Sequence, residues 1–318
     1  MVELNKNNPL VSVCIPIYNV SEYIEETLQK VLKQTYNNIE VILVDDFSTD
    51  DSFQIAQKFQ SEKVKLFKNK KKGGNAARNF AFEKSSGAYI KFMDSDDYCS
   101  ENMIEQQIYR MLNDGTDETL IHSPLKMLEP DGRTFSLPRS IDQDYTPGIE
   151  LLVAIWNQEG FNVPHCYLMH RNLVIISGGW DEKVIKNQDG EFFARVAALA
   201  DKSLSVNEVY AFWRQTKKGV STLTSLKAYN SVIDTFQIIT NLLFSYKDTQ
   251  EMRVICSKYI GNFVYVNYPA IKTLMPRINK LLVNSNMSLI LPDRKVLNSL
   301  KILLGWRISL SIIKKLNL

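Results

Sequence analysis

The stretch Ala88-Tyr89-Ile90-Lys91-Phe92-Met93-Asp94-Ser95-Asp96-Asp97 decides the fold. Its first six residues, mostly apolar and aromatic or β-branched, predict a buried strand. That strand ends abruptly in three carboxylates within four residues. Upstream the same plan recurs. Val11-Ser12-Val13-Cys14-Ile15-Pro16-Ile17-Tyr18 predicts a first buried strand. Glu40-Val41-Ile42-Leu43-Val44-Asp45 predicts a second that also ends in acids, and Val64-Lys65-Leu66-Phe67 a short third. Helix signals fill the gaps. Asn19 with Glu22 three positions on predicts a helix to about Gln34. Ser48-Thr49-Asp50-Asp51 reads as a capping box before a helix ending near Phe59. Gly73-Gly74-Asn75 opens a third helix that stops near Gly87. Strands alternating with helices predict an α/β fold with right-handed crossovers and a mostly parallel central sheet flanked by helices. Such sheets bind ligands beyond the carboxyl ends of their strands. Tyr18, Asp45-Asp46 and Asp94 to Asp97 all fall there.

Three adjacent carboxylates repel one another unless a cation or hydrogen-bond donors compensate. Their hard oxygen ligands suit Mg2+ or Mn2+, typically shared with substrate phosphates. A solvated turn at a helix N-terminus is the other reading, and for Asp97 the two stay open.

Beyond residue 113 the pattern is less regular, with a turn signal at Glu129-Pro130-Asp131-Gly132-Arg133. After Ser225 it becomes mostly helical. The 318 residues carry a net charge of +3, which hides an uneven split. Glu251 to Leu318 contributes +9, and the preceding 250 residues −6. Cys14, Cys99, Cys166 and Cys256 stand too far apart for zinc or redox spacing, so reduced, buried thiols are expected. Met1 to Pro9 is polar, without a signal-peptide core, and no run reaches the roughly 20 apolar residues of a membrane helix. A cytoplasmic location is expected. The C-terminal bases are spread among Leu and Ile with no nucleic-acid motif, so no nucleic-acid partner is expected.

Pro16-Ile17-Tyr18-Asn19, Val44-Asp45-Asp46-Phe47-Ser48-Thr49-Asp50, Ala77-Arg78-Asn79 and Phe92-Met93-Asp94-Ser95-Asp96-Asp97 occur in this order. Gly179-Trp180-Asp181-Glu182 follows, then Gln188-Asp189-Gly190-Glu191-Phe192-Phe193-Ala194-Arg195. Together they resemble the family 2 glycosyltransferases over roughly residues 10 to 222. The resemblance implies a GT-A fold with a catalytic domain at 1–222. Its nucleotide-sugar half would span about 10–112 and its acceptor half about 113–222, before a helical basic region at 223–318.

The resemblance also implies roles. Tyr18 would pack on the nucleotide base, with the backbone near Pro16 beside it, and Asp46 would accept a hydrogen bond from the base imide. Gly73 and Arg78 would line the nucleotide site, and Arg is a good phosphate partner. Asp94-Ser95-Asp96 matches the family's DxD motif. Asp96 would bind the Mn2+ or Mg2+ that bridges the diphosphate, and Asp94 would sit nearer the ribose or donor sugar. Asp189 matches the catalytic base of an inverting transfer. If 188–199 is a helix, Glu191 points to another side, while Phe192, Phe193, Val196 and Leu199 supply the buried face. Trp180, Asp181, Glu182 and His165 would meet the acceptor. Arg214 falls where relatives have a loop that closes over the donor. The implied donor is a nucleotide sugar, with a lean to uridine, and the implied acceptor a glycan or lipid-linked sugar. No Gln-x-x-Arg-Trp motif is present, so a non-processive enzyme is expected. A sugar-nucleotide nucleotidyltransferase would need a Gly-rich signature where Pro16-Ile17-Tyr18-Asn19 stands. A non-catalytic glycan-binding or scaffold protein would not need Asp96 and Asp189.

Residues 294–318 hold Arg294, Lys295, Lys301, Arg307, Lys314 and Lys315 with no acid. Leu297, Leu300, Leu304 and Ile308 make one helical stripe. Such a segment suits peripheral contact with an anionic membrane at the inner face of the cell. The alternative is a helix packed on its own domain, or on a second subunit in a homo-oligomer.

Overall fold

A computed structural model describes residues 8–216 and 219–316. Four consecutive strands form the predicted parallel core: β1 (Val11–Ile17), β2 (Ile39–Asp45), β3 (Val64–Lys68) and β4 (Tyr89–Phe92). β1 pairs in parallel with both β2 and β4, and β2 with β3. Every residue of β2 is buried, which is why its sequence runs apolar without alternation.

The intervening helices are α1 (Ile24–Leu32), α2 (Ser52–Gln57) and α3 (Gly74–Lys84). Two helix starts differ from expectation. α1 begins at Ile24 because Asn19 adopts φ +51° and turns its carboxamide oxygen to the Thr49 amide at 2.8 Å. At α2 the N-cap position falls on Asp51, whose side chain makes no cap bond, and Asp50 rather than Ser48 takes the first helical amide. The Asp50 carboxylate accepts from the amides of Ser52 and Ser21, both at 3.0 Å. Polar residues read as local caps therefore join the end of β1 to the end of β2.

After β5 (Tyr98–Cys99) and helix α4 (Met103–Asp114), the chain adds β6 (Thr119–His122), β7 (Leu125–Leu128) and β8 (Thr134–Phe135). Then come α5 (Ile149–Trp156), β9 (Tyr167–His170), α6 (Arg171–Ile176), α7 (Gln188–Leu199), β10 (Lys202–Ser205) and β11 (Ala211–Arg214). The large sheet has the order β10-β6-β9-β4-β1-β2-β3, in which only β9 runs antiparallel to its neighbours. A smaller sheet, β5-β11-β7-β8, lies beside the acid turn that follows β4.

Two buried charges mark the sheet. Glu40 on β2 accepts from Ser12 Oγ at 2.7 Å and from the Ser86 and Gly87 amides, while Lys65 Nζ reaches its other oxygen at 3.0 Å. Burial alone would raise its pKa, but these donors outweigh burial and lower it from 4.5 to about 2. A depressed carboxyl stabilises the fold above its unfolded pKa and loses that effect as pH falls toward the folded value. Allowing for solvent screening of the half-exposed Lys65 partner, the contribution is about 1–2 kcal/mol. Glu40→Gln should lower the melting temperature at pH 7 and flatten the stability change between pH 4.5 and 2, the interval between the two pKa values. Unaltered acid melting curves would refute this. The second charge, Lys91 on β4, has no exposed surface and is held by three oxygen acceptors.

The chain divides into two compact units: 8–152, 159–183 and 188–216 form one, and 153–158, 184–187 and 219–316 the other. The second unit contains α8 (Leu226–Tyr246), α9 (Gln250–Asn267), α10 (Met275–Asn284) and α11 (Lys295–Leu316). Ser225 and Thr249 cap α8 and α9 through their side chains. Trp156 stacks on Tyr259 at 4.4 Å in its core. Within α11, Gly305 breaks the helix with φ +71°. Leu310 and Ile313 are buried there and Ile308 is exposed. The side chains of Leu297, Leu300 and Leu304 lie outside the described residues. Among the described residues, no helix is long and apolar enough to cross a membrane.

Candidate active site

At the ends of β1 and β2 the Asp46 amide donates to the Ile17 carbonyl at 2.7 Å, drawing the two strand ends together. The Asp46 carboxylate takes the Gly73 amide on both oxygens, at 2.9 and 3.0 Å, and Asn69 Nδ2 at 2.8 Å. This pulls the 69–73 loop against the strand ends and starts α3. Gly73 sits at φ +144°, a backbone state that a side chain would strain. Pro16 is half-buried in β1, paired with Val44. Tyr18 is 46% exposed, with Lys72 Nζ 4.8 Å above its ring. Tyr18, Asp46 and Gly73 therefore gather at the carboxyl ends of β1 and β2. Asn69 and Lys72 join them unforeseen; the run Lys68-Asn69-Lys70-Lys71-Lys72 ahead of the helix was their only sequence signal.

The acid turn sorts its three carboxylates. Asp94 and Asp96 keep partial exposure, whereas Asp97 is buried. Asp97 accepts the Arg214 amide at 2.7 Å and lies 3.7 Å from His165 Nδ1. Burial, and then the charges of Asp96 and Asp94, hold its carboxyl well above the usual range. Asp97 is thus a structural member of the turn. Burial and the charge of Asp94 push Asp96 up to about 6. Arg214 closes β11 with its Nε donating to the Asp96 carbonyl at 2.9 Å and Nη2 to Glu26 at 2.7 Å. It braces the turn from behind. His165 does not meet an acceptor: it has no exposed surface, and burial lowers its pKa to about 4.

Among the described residues no three His, Cys, Asp or Glu side chains converge as a complete cation cage. Asp94 and Asp96, which repel each other across a partly open turn, match the chemistry of Mg2+ or Mn2+. Such a cation takes one or two carboxylates and completes its shell with substrate phosphates and water.

On the other side of α3, Asn79 clamps the backbone of Trp180, donating to its carbonyl at 2.8 Å and accepting from its amide at 2.9 Å. Asn75 donates to the Asp181 carbonyl at 2.7 Å, and Lys71 pairs with Glu182 at 2.5 Å. Asp181 remains partly exposed and Glu182 exposed. Trp180 does not face an acceptor. It is 2% exposed, stacks on Phe192 at 4.2 Å and meets Phe92 edge-on, so it offers no platform to a sugar ring.

α7 spans the expected 188–199, with Asp189 in its first turn. Phe192, Phe193 and Val196 form the buried face, but Leu199 is exposed. Glu191 turns away and forms a forked pair with Arg195 at 2.6 and 2.7 Å. Asp189 keeps some exposed surface although protein surrounds it closely. Burial, then the Asp94 charge, push its carboxyl up to about 7, and Arg78 works against them. A carboxylate with that proton affinity can accept a proton near neutral pH.

The profile described as Glycosyl transferase family 2 matches residues 12–175, just over half of the chain. Glycosyltransferase GlyG of Streptococcus pneumoniae is 41% identical over 129 residues, 40% of this chain and 42% of that protein. The Escherichia coli UDP-Glc:alpha-D-GlcNAc-diphosphoundecaprenol beta-1,3-glucosyltransferase WfaP is 44% identical over 103 residues, 32% of this chain and 41% of that protein. The chain thus spans less than half the length of either relative. S. aureus TarS, solved with UDP-GlcNAc, superposes with a TM-score of 0.68 at 18% identity, over 87% of this chain and 80% of the other. That likeness gives the fold, which is GT-A. With the ordered motifs, the strand-end site and the matching profile in agreement, the chain belongs to glycosyl transferase family 2.

Proposed function

We propose that this chain is an inverting, metal-dependent glycosyltransferase that moves a sugar from a UDP-sugar to a hydroxyl of a lipid-linked or glycan acceptor. The observation that carries the reading is Asp189. It heads α7 within the electrostatic reach of Asp94 and Arg78, with a carboxyl poised near neutrality. In the reaction the Asp189 carboxylate takes the proton of the acceptor hydroxyl. The acceptor oxygen forms its new bond to the anomeric carbon on the face opposite the diphosphate. The bond from that carbon to the diphosphate oxygen breaks, and its electron pair leaves with UDP, so the configuration inverts. Tyr18 holds the base, and Asp46 orders the 69–73 loop beside it. Mn2+ or Mg2+ at Asp96, with Asp94 alongside, would supply charge neutralisation for the leaving diphosphate.

Relatives support the substrate class. WfaP and WfgD of Escherichia coli are both named for a UDP-Glc donor and a GlcNAc-diphosphoundecaprenol acceptor. TuaG of Bacillus subtilis is named for teichuronic acid biosynthesis. A lipid-linked acceptor would also give the basic 294–318 segment a use at an anionic membrane surface.

The test is a screen of UDP-glucose and UDP-GlcNAc with a GlcNAc-diphospholipid acceptor and Mn2+. The expected result is UDP release with a lipid product of inverted anomeric configuration, lost on adding EDTA and regained with excess Mn2+. Retention of configuration, or turnover that ignores EDTA, would overturn the corresponding part of the proposal.

A further inference from the structure

Arg78 was expected to line the nucleotide site as a phosphate partner, yet its surroundings describe another task. The side chain is 8% exposed, although it lies at the mouth of a polar site. Nη2 donates to Asp94 at 2.7 Å. Nη1 donates to Gln188 Oε1 at 3.1 Å and to Asn75 Oδ1 at 3.3 Å. Its guanidinium lies 4.6 Å over the Trp180 ring, which the surrounding aromatic cluster fixes. Gly74 gives this arrangement room. A Cβ there would meet Arg78 Nη1 at 3.3 Å and Gln188 Oε1 at 3.7 Å.

These contacts have a direction. Asp94 opens the acid turn that follows β4 and holds the donor-side carboxylates. Gln188 is the first residue of α7 and immediately precedes Asp189. A planar guanidinium presents several donors in one rigid fork, and so can fix two acceptors relative to each other. Here one acceptor belongs to the donor side and the other to the head of the base-bearing helix. An Arg directed at a diphosphate would instead keep its terminal nitrogens toward the opening.

We infer that Arg78 is a positioning residue that ties the start of α7 to Asp94 and so sets the distance between the Asp189 base and the donor. The inference rests on the reading of Asp189 as that base. Misplacement of a reacting group by about 1 Å costs on the order of 10²-fold in rate. Arg78 would therefore act on turnover and leave donor affinity alone.

The experiment compares Arg78→Gln, Arg78→Lys, Gln188→Leu and Asp189→Asn. Turnover is read with the UDP-sugar and acceptor found by the screen above, and binding with UDP and with uridine. For Arg78→Gln, kcat should fall by about 10²-fold with donor KM and UDP affinity unchanged. Arg78→Lys restores the charge without the fork and should recover only part of the loss. Gln188→Leu cuts the other end of the tie and should lower kcat by about tenfold, even if the Arg78 variants prove unstable. A loss of about tenfold or more in UDP affinity with uridine binding intact would make Arg78 a diphosphate ligand and overturn the inference. Full recovery in Arg78→Lys, or unchanged kcat in Arg78→Gln and Gln188→Leu, would also overturn it. If Asp189→Asn turns over normally, the base assignment itself has failed. If only that variant is inactive, the base stands and the tie does not.

Discussion

Asp189→Asn should lower kcat for sugar transfer by about 10²- to 10⁴-fold, the usual contribution of a positioned general base, with UDP binding retained. The amide keeps the shape of the carboxylate and its place in the first turn of α7 but cannot take a proton. The nearest other acid on the helix, Glu191, cannot substitute. It is 2% exposed, and both its oxygens are committed to Arg195. The pH profile supplies a second check. The Asp189 carboxyl is pushed up to about 7 by burial and the Asp94 charge. Because the base works only when ionised, activity should fall tenfold per unit as pH drops below about 7. The same shift fixes the sign of a stability effect. A carboxyl whose folded pKa is raised from 3.8 penalises the fold once ionised, and the penalty sets in as pH rises through that interval. Asp189→Asn should therefore melt no lower than the parent at pH 8, and its inactivity could not be blamed on unfolding. Normal turnover, or a lower melting temperature, would contradict the assignment.

The sequence was most legible where one signal had one physical meaning. The parallel strands β1 to β4 are apolar runs closed by polar residues, and both the runs and their ends could be read directly. α7 was legible because Asp189, Glu191 and the two phenylalanines fit only one helical phase. Local polar signals were less reliable. Asn19 and Ser48 carry the composition of helix caps, yet Asn19 binds across to Thr49 while Asp50 takes the first amide of α2. Composition cannot show which neighbour a short polar side chain will choose. Trp180 and His165 were misassigned for a related reason. Sequence position brought both near the acceptor side, but burial decides whether a ring faces a ligand or the core. Arg78 and Arg214 each reach the acid turn, through the Asp94 carboxylate and the Asp96 carbonyl, contacts that sequence position alone does not show. Asn69 and Lys72 were missed because the loop they share acquires a purpose only when Asp46 captures Gly73.

Lys91→Met should destabilise the sheet-bearing unit by about 2–4 kcal/mol, because the acceptors it strands outweigh the buried charge it removes. Lys91 lies in β4, three residues before Asp94, with no exposed surface. Its ammonium donates to Gln107 Oε1 at 2.9 Å, to the His165 carbonyl at 2.7 Å and to the Tyr167 carbonyl at 3.3 Å. An ammonium has three donors, and here each finds an oxygen. Burial lowers its pKa from 10.5 to about 8, so keeping the cation inside costs about 3 kcal/mol at neutral pH. Methionine fills similar space and removes that cost. It also leaves two carbonyls and an amide oxygen without a donor in a place water does not reach, at about 1–3 kcal/mol each. Gln107 cannot compensate, since its amide nitrogen is already engaged by Ser123 and the Cys166 carbonyl. The pH dependence separates the two terms. A base with a lowered folded pKa gains stability as pH rises from its folded toward its unfolded value, here from about 8 to 10.5. That gain should be present in the parent protein and missing in Lys91→Met. Denaturant unfolding at pH 7 and pH 10 measures both quantities. A methionine variant as stable as the parent at pH 7 would mean that the 165–167 segment finds other donors, and that the lysine is not what fastens it to β4.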